Sequence, residues 1–383
     1  MNRTNNAILV VNSGSTSLKL ALYFQNGTEI SAQPAWSMHS QQDVQGALRL
    51  IADLWTGDEA TISDPRQIVA VGHRVVHGGK NFSAPAILSK EVLGQLRKLV
   101  ELAPLHQPAN ICGIELITEL LPHAVHVAVF DTAYFHDMPL GSTVYAVPYE
   151  WYEKLGIRRY GFHGISHEYC AGRAAEIIDS EGPLRVITCH LGGGASITAN
   201  LDSKSIATTM GFTPLEGVVM GTRSGSIDPG IILHLLRNEH FSLHELDHLL
   251  NHESGLKGIS GISADVHELE ARASAGDDRA KLALDIYVRS IAMHISSMVA
   301  ALGGTDAIVF TAGVGEHSSY VRSEVCSRLA YLGLELDPQG NEVCQTDCVI
   351  SKGDTKIAVL VIEAREEWVI AQASARLLAS PSP

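Results

Sequence analysis

The sequence predicts an α/β protein of two duplicated domains whose sheets are not purely parallel. Three observations carry that reading. Two apolar strands flank a turn of small polar residues in the run Val10-Val11-Asn12-Ser13-Gly14-Ser15-Thr16-Ser17-Leu18-Lys19-Leu20. A related strand–turn–strand pattern returns at Cys189-His190-Leu191-Gly192-Gly193-Gly194-Ala195-Ser196-Ile197. Strand-like and helix-like segments alternate along 383 residues, a length that suits two domains, each able to bury a core.

The elements follow from apolar spacing. β-Branched apolar runs place strands at Ala7–Val11, Ile68–Val76, Val125–Phe130, Leu184–Cys189, Ala307–Phe310 and Lys356–Ile362. Helical periodicity is clearest over Lys90–Leu102, Ala280–Leu302 and Glu366–Leu378. Mixed order with a hairpin near each domain start implies sheets that combine antiparallel and parallel pairs. The stretch from Phe135 to Pro148 has no strong period, which puts a domain boundary near residues 135–150.

Composition narrows the function. A net charge of -14 argues against a general nucleic-acid binder, which needs clustered Lys and Arg. An anionic small substrate stays possible, because a few local arginines override the global sign. No apolar run approaches the roughly 20 residues of a membrane span, and the N-terminus lacks a signal-peptide core, so a cytoplasmic protein is expected. The spacing of Cys344 and Cys348 suits a metal or disulfide pair, but with no matching Cys or His pair nearby the 6 cysteines are read as free thiols in a reducing compartment.

Several segments have the residue types of a phosphate or carboxylate site. Small residues in both hairpin turns let an anion approach backbone N–H groups, although hairpin turns are commonly rich in Gly, Ser and Asn. Gly72-His73-Arg74-Val75-Val76-His77-Gly78-Gly79 sets Arg74 at a strand end before a Gly turn, where it can grip a carboxylate or phosphate bidentately or lie idle on the surface. Asp131 follows an apolar strand, as a functional carboxylate or a helix cap. His163 and His167 are four apart, the spacing of a zinc pair on a helix. With no third ligand evident and Gly164 between them, a donor role for His163 is the better reading. Arg223 is isolated in the Gly-rich segment 210–230. The glycines of Gly313-Val314-Gly315-Glu316-His317 let a base or ribose lie against the backbone, on a weak motif. Glu366 and Glu367 open the last helix and serve either a divalent cation or the helix dipole.

Taken together, the stretches Gly72–Gly79, Leu102–Pro108, Arg158–His167 and Met210–Pro229 resemble the acetate kinase (acetokinase) family, within the fold shared by sugar kinases, heat-shock chaperone ATPases and actin. The resemblance runs in order from Asn12 to Glu367. It implies duplicated ribonuclease H-like, actin-like ATPase domains with mixed sheets and an interdomain cleft. The N-terminal domain would be 1–135 plus 366–383, and the nucleotide-binding C-terminal domain 136–365. It implies reversible transfer of the ATP γ-phosphoryl group to acetate, giving acetyl phosphate and ADP, with propionate kinase as the nearby alternative. Mg²⁺ (or Mn²⁺) and a homodimer are implied as well.

The resemblance also distributes roles. Arg74 and Arg223 would bind the carboxylate and the transferring phosphoryl group. His163 would hydrogen-bond that group, and Asp131 would fix Arg or metal geometry. Val76, Leu105, His106, Phe162 and Pro214 would form the acyl pocket. Asn12 and Glu366 would serve the metal. Asn12, Ser13, Lys19, His190, Gly192, Gly193, Gly194, Asp265, Val266, His267, Gly313, Val314, Gly315, Glu316 and His317 would face the nucleotide. The chain departs from the family pattern at Gly193, Ser226, His267, His317 and Ala364-Arg365, mostly on the nucleotide side. That raises the expectation of an altered phosphoryl-donor preference.

Overall fold

A computed structural model describes residues 6–13, 18–24, 29–32, 62, 64–104, 106–180, 182–345 and 347–379. The chain divides into two compact units, Met1–His136 with Arg365–Pro383, and Asp137–Ala364. Each is built on one six-stranded mixed sheet.

The first sheet contains β1 (Ala7–Ser13), β2 (Leu18–Phe24), β3 (Glu29–Ala32), β4 (Ile68–Val75), β5 (Ala86–Ile87) and β6 (Val125–Phe130). Their order is β3-β2-β1-β4-β6-β5. β1, β2 and β3 form an antiparallel meander, and β1, β4 and β6 run parallel. Parallel strands need cover on both faces, which explains why these strands are nearly continuous apolar runs. On one face Ala7, Leu9, Val11, Leu20, Leu22, Ile68 and Val71 pack with Ile117 of the helix Gln107–Leu120. The helix Glu366–Ala379 covers β4 from the other face. Gly72 makes room for it, since a Cβ there would lie 2.5 Å from Ser374 Oγ and 2.6 Å from Ile370 Cγ2.

The second sheet contains β7 (Arg185–Leu191), β8 (Ala195–Leu201), β9 (Lys204–Thr208), β10 (Ala307–Thr311), β11 (Cys348–Val349) and β12 (Ala358–Val361). Its order is β11-β12-β10-β7-β8-β9. Again a three-strand antiparallel meander leads into parallel strands, here β7, β10 and β12, with an antiparallel edge strand. The two sheets thus repeat one topology, the duplication suggested by the paired hairpins. The helix Gly164–Ile178 buries Cys170 and Ala174 against Val186, Ala307, Val309 and Leu360.

Some expectations are corrected. The helix begun at Lys90 ends at Lys98 and continues as a 3₁₀ turn over Val100–Leu102. The last strand is shorter than Lys356–Ile362, spanning Ala358–Val361. The long helix Asp278–Leu302 has the length and hydropathy of a membrane span, which the sequence was read as lacking. It buries Ala283, Tyr287, Ile291 and Ile295 inside the second unit, as a core helix does. Cys344 and Cys348 are joined as a disulfide with Cα atoms 6.5 Å apart, not free thiols.

Candidate active-site residues in the two units

In the first unit the site grows from strand ends. The parallel register of β4 and β6 sets Arg74 opposite Val129 and Val75 opposite Phe130, so Asp131 emerges beside Arg74. The Asp131 backbone N–H donates to the Val75 carbonyl at 3.1 Å, which locks that register past the strand end. Arg74 then grips Asp131 with Nε at 3.0 Å from Oδ1 and Nη2 at 2.8 Å from Oδ2. This fork-on-carboxylate arrangement fixes the guanidinium plane. Arg74 Nη1 donates to Asn12 Oδ1 at 3.1 Å, and Asn12 Nδ2 donates to Glu367 Oε1 at 2.7 Å. Glu366 Oε1 lies 3.6 Å from Arg74 Nη2, and Lys19, across the hairpin from Asn12, sets its Nζ 3.9 Å from Glu367. Burial opposes the charge on Arg74, but Asp131 and Glu366 outweigh it, so the guanidinium holds its proton more firmly than a free arginine.

Around this cluster the chain is pinned. The Val76 N–H donates to Asn110 Oδ1 at 3.0 Å, and the Gly78 N–H to Thr132 Oγ1 at 3.0 Å. Gly79 takes φ 64, a left-handed turn that a side chain would strain. Val76 and His106 are buried, the latter just before the helix Gln107–Leu120. Leu105, Gly14–Ser17 and the Ser13 side chain lie outside the described residues.

In the second unit the turn between β7 and β8 gathers the candidates. A Cβ added to Gly194 would stand 3.4 Å from Arg223 Nη1, 3.5 Å from His163 Cε1 and 3.6 Å from His163 Nε2. Gly194 therefore lies against both side chains. Arg223 Nη1 donates to the Pro214 carbonyl at 3.3 Å, which ties Pro214 to the same place. Burial pulls Arg223 down to about 10, still protonated at neutral pH. His163 has φ 58 and stands before the helix Gly164–Ile178 rather than in it, while its carbonyl accepts from the His167 N–H at 3.0 Å. Its ring stacks on His190 with centroids 4.2 Å apart, and its Nδ1 sits 2.8 Å from Ser196 Oγ. Phe162, next to it, is buried.

The nucleotide-side residues are placed unevenly. A Cβ at Gly193 or Gly313 would meet nothing within 4 Å, whereas one at Gly315 would crowd the Phe310 carbonyl carbon at 3.3 Å. Residues Ala312–His317 form a short helix rather than the expected open loop, begun by Ala312 at φ 63. The Glu316 carboxylate folds back onto it, accepting from the Ala312 N–H at 2.7 Å and the Ala364 N–H at 3.1 Å. Burial raises the Glu316 carboxyl despite those bonds. Asp265 caps the helix Val266–Ser274 through Glu268 N–H, Val266 is buried, and the His267 side chain is exposed to solvent.

Of the two carboxylates that open the last helix, Glu367 accepts from Asn12. Sequence reasoning missed four other partners. Ser196 and Thr188 bond His163 and His167. Tyr145 donates to Glu216, which also takes Arg159 Nη2 at 2.6 Å, bracing the start of the Arg223 loop. Among the described residues no group of three His, Cys, Asp or Glu side chains is arranged to hold a metal by itself.

Comparison with known proteins identifies the relatives of this chain. The acetokinase family profile matches residues 25–372. The acetate kinase of Cyanothece sp. is 45% identical over 396 residues, covering 95% of this chain and 97% of its own length. That of Protochlamydia amoebophila is 46% identical over 391 residues, covering 95% and 98%. Among solved structures, a propionate kinase from Francisella tularensis superposes with a TM-score of 0.88 at 37% identity, covering 97% of this chain and 99% of its own. An acetate kinase from Porphyromonas gingivalis gives 0.85 at 37%, covering 97% and 100%.

Proposed function

The chain belongs to the acetokinase family, and from that membership and the geometry above we infer that it transfers the γ-phosphoryl group of ATP reversibly to acetate, giving acetyl phosphate and ADP by direct in-line displacement. It is a phosphotransferase with a carboxyl group as acceptor. The observation that carries the reading is the placing of half-buried arginines at strand and loop ends, Arg74 clamped by Asp131 and Arg223 beside Gly194 and His163.

The acceptor carboxylate is ionised at neutral pH, so no strong general base is needed. Asp131, gripped through both oxygens by Arg74, serves as a positioner rather than a base. What the reaction needs is alignment and cancellation of charge on the equatorial oxygens. Arg74 is assigned to the carboxylate and the transferring group, with Val76 and His106 toward the acyl chain. In the second unit Arg223 and His163 are assigned to the transferring group, Phe162 and Pro214 to the acyl chain, and the glycines Gly192–Gly194 and Gly313 to the nucleotide. An arriving phosphoryl anion relieves the burial penalty on Arg223.

Asn12, Glu366 and Glu367 offer hard oxygen donors, and two carboxylates with substrate phosphates and water are the usual Mg²⁺ environment. Mg²⁺, or Mn²⁺, when bound supplies further neutralisation of phosphate charge. Those residues would hold it. We further assign the protein to the cytoplasm as a homodimer, as the family resemblance implies.

The likeness to a propionate kinase keeps propionate as a second acceptor. One methylene in an apolar pocket is worth about 1–3 kcal/mol, so acetate should lead by roughly 10–200-fold. The test is acyl phosphate trapped with hydroxylamine, using acetate, propionate and butyrate against ATP, GTP and pyrophosphate with Mg²⁺. Acetate with ATP should give the largest kcat/KM. A larger value with another donor would move specificity to the departures at Gly193, Ser226, His267 and His317. No product with any pair would overturn the reading.

A further inference from the structure

The imidazole of His163 ends a chain of buried groups. His163 Nδ1 lies 2.8 Å from Ser196 Oγ, and the same oxygen lies 2.7 Å from His167 Nε2. His167 Nδ1 lies 2.6 Å from Thr188 Oγ1, which in turn accepts from Asn200 Nδ2 at 3.1 Å. All these groups except His163 are fully buried. The topology explains the gathering: Thr188 pairs with Thr198 across β7 and β8, Ser196 and Asn200 flank Thr198 on its strand, and the helix Gly164–Ile178 lays His167 over them.

The far end sets the direction of the chain. Asn200 Nδ2 also faces the Val186 carbonyl at 3.0 Å and the Thr198 carbonyl at 3.1 Å. Both are acceptors only, so the amide nitrogen, not the oxygen, points this way. That nitrogen has two hydrogens for three acceptors, of which Thr188 Oγ1 is one, and the Thr188 hydroxyl has its own hydrogen to give. Its choices are His167 Nδ1 at 2.6 Å or the Thr198 carbonyl at 3.5 Å, and the short contact wins. With Nδ1 accepting, His167 is neutral with its hydrogen on Nε2, and it donates to Ser196. Burial, with His190 nearby, holds His167 well below the usual histidine range, in agreement. Ser196 then gives its single hydrogen to His163 Nδ1.

We propose that the one-way wire Asn200 to Thr188 to His167 to Ser196 fixes His163 as the neutral tautomer with its hydrogen on Nε2, which makes Thr188, His167 and Ser196 positioning residues for phosphoryl transfer. The unused nitrogen of a histidine decides which nitrogen faces the reaction. Here that facing nitrogen is Nε2, the one beside Gly194 and Arg223. A second positive charge on His163 would sit against Arg223 and the stacked His190, so a neutral donor suits the place. The catalytic part rests on the reading of His163 as a donor to the transferring group. The tautomer part does not.

The experiment is long-range ¹H–¹⁵N NMR on protein labelled at histidine, with His163 identified by its loss in His163→Gln. The wire predicts Nδ1 unprotonated and Nε2 protonated at neutral pH. Thr188→Val removes the hydroxyl and keeps the shape. It should move His163 toward the Nδ1–H form and lower kcat by about 10–100-fold, the usual cost of losing an outer partner, with the KM for acetate little changed. Thr188→Ser should restore both readouts. Ser196→Ala, a second break in the wire, should reproduce the kcat loss. An Nδ1–H form in the unmodified protein, or wild-type tautomer and kcat in Thr188→Val, overturns the proposal. Wild-type kcat in His163→Gln overturns the donor reading and the positioning roles with it, while the NMR still decides the tautomer.

Discussion

The two units share one strand order and handle charge in opposite ways. At the penultimate position of its first strand, the N-terminal unit has Asn12 and the second unit has His190. Asn12 bridges Arg74 and Glu367 in a cluster where every charge has an opposite beside it. His190 instead stacks on His163 and bonds the Ser166 hydroxyl, and burial draws Arg223 down to about 10. One scaffold therefore yields two chemistries, chosen by a few strand-end side chains. The first unit holds its arginine rigidly before substrate arrives. In the second, burial works against the charge on the half-buried Arg223, and an incoming anion offsets that cost.

The sharpest break of that contrast is Arg74→Ala. Turnover should fall about 10³-fold or more through lost charge stabilisation. Stability should fall as well, by about 3–5 kcal/mol, because Asp131 and Glu366 lose the cation beside them in a buried site. Urea unfolding checks the second part, and an unchanged midpoint would show that the first unit is not organised around this pair.

Acid should separate the units next. In the first unit burial holds His77 at about 4, His73 well below the usual range and His126 lowered. In the second, His167 is well below that range and the more exposed His252 is lowered. A depressed histidine is neutral in the fold while the unfolded chain takes up a proton below about pH 6.5. Stability is therefore full above pH 6.5 and declines as pH falls from there toward 4, by up to about 1.4 kcal/mol per pH unit for each such group. Amide exchange at pH 7 and pH 5 should show greater loss of protection in β4 and β6 than in β7 and β8. Equal loss would break the comparison.

Smaller effects come from the glycine turn. Gly194→Ala places a methyl at ordinary contact distance from Arg223 and His163, so folding should survive. Turnover should drop by roughly 10²-fold, because the methyl occupies the space the reacting group needs. Gly193→Asn meets open space and should shift stability by no more than about 0.5 kcal/mol. Ala312→Gly should raise stability by about 1 kcal/mol by relieving the left-handed backbone at φ 63, read from the melting temperature.

Much of the fold was legible because apolar runs mark strands that are buried on both faces. The paired hairpins marked the duplication, since each opens a meander of the same order. Arg74 was legible as an arginine at a strand end before a Gly turn, and Asp131 as a carboxylate after a strand. Their pairing was not, because it arises from the parallel register of β4 and β6 across 57 residues. Ser196 and Thr188 read only as strand residues, and nothing local says that β7 and β8 bring them under His167. The left-handed φ of His163, which sets it ahead of the helix, could not be seen in its four-residue spacing to His167. Gly313 and Gly315 read as a loop, yet Glu316 caps its own N-terminus and makes a helix there.

The most direct test of the contrast is Arg223→Ala, with turnover and melting temperature measured on one preparation. The account predicts a loss of about 10³-fold in kcat with a melting temperature unchanged or raised, because removing this half-buried cation relieves a desolvation cost while stripping charge from the reaction. Wild-type turnover, or a collapse in melting temperature like that expected for Arg74→Ala, would contradict it.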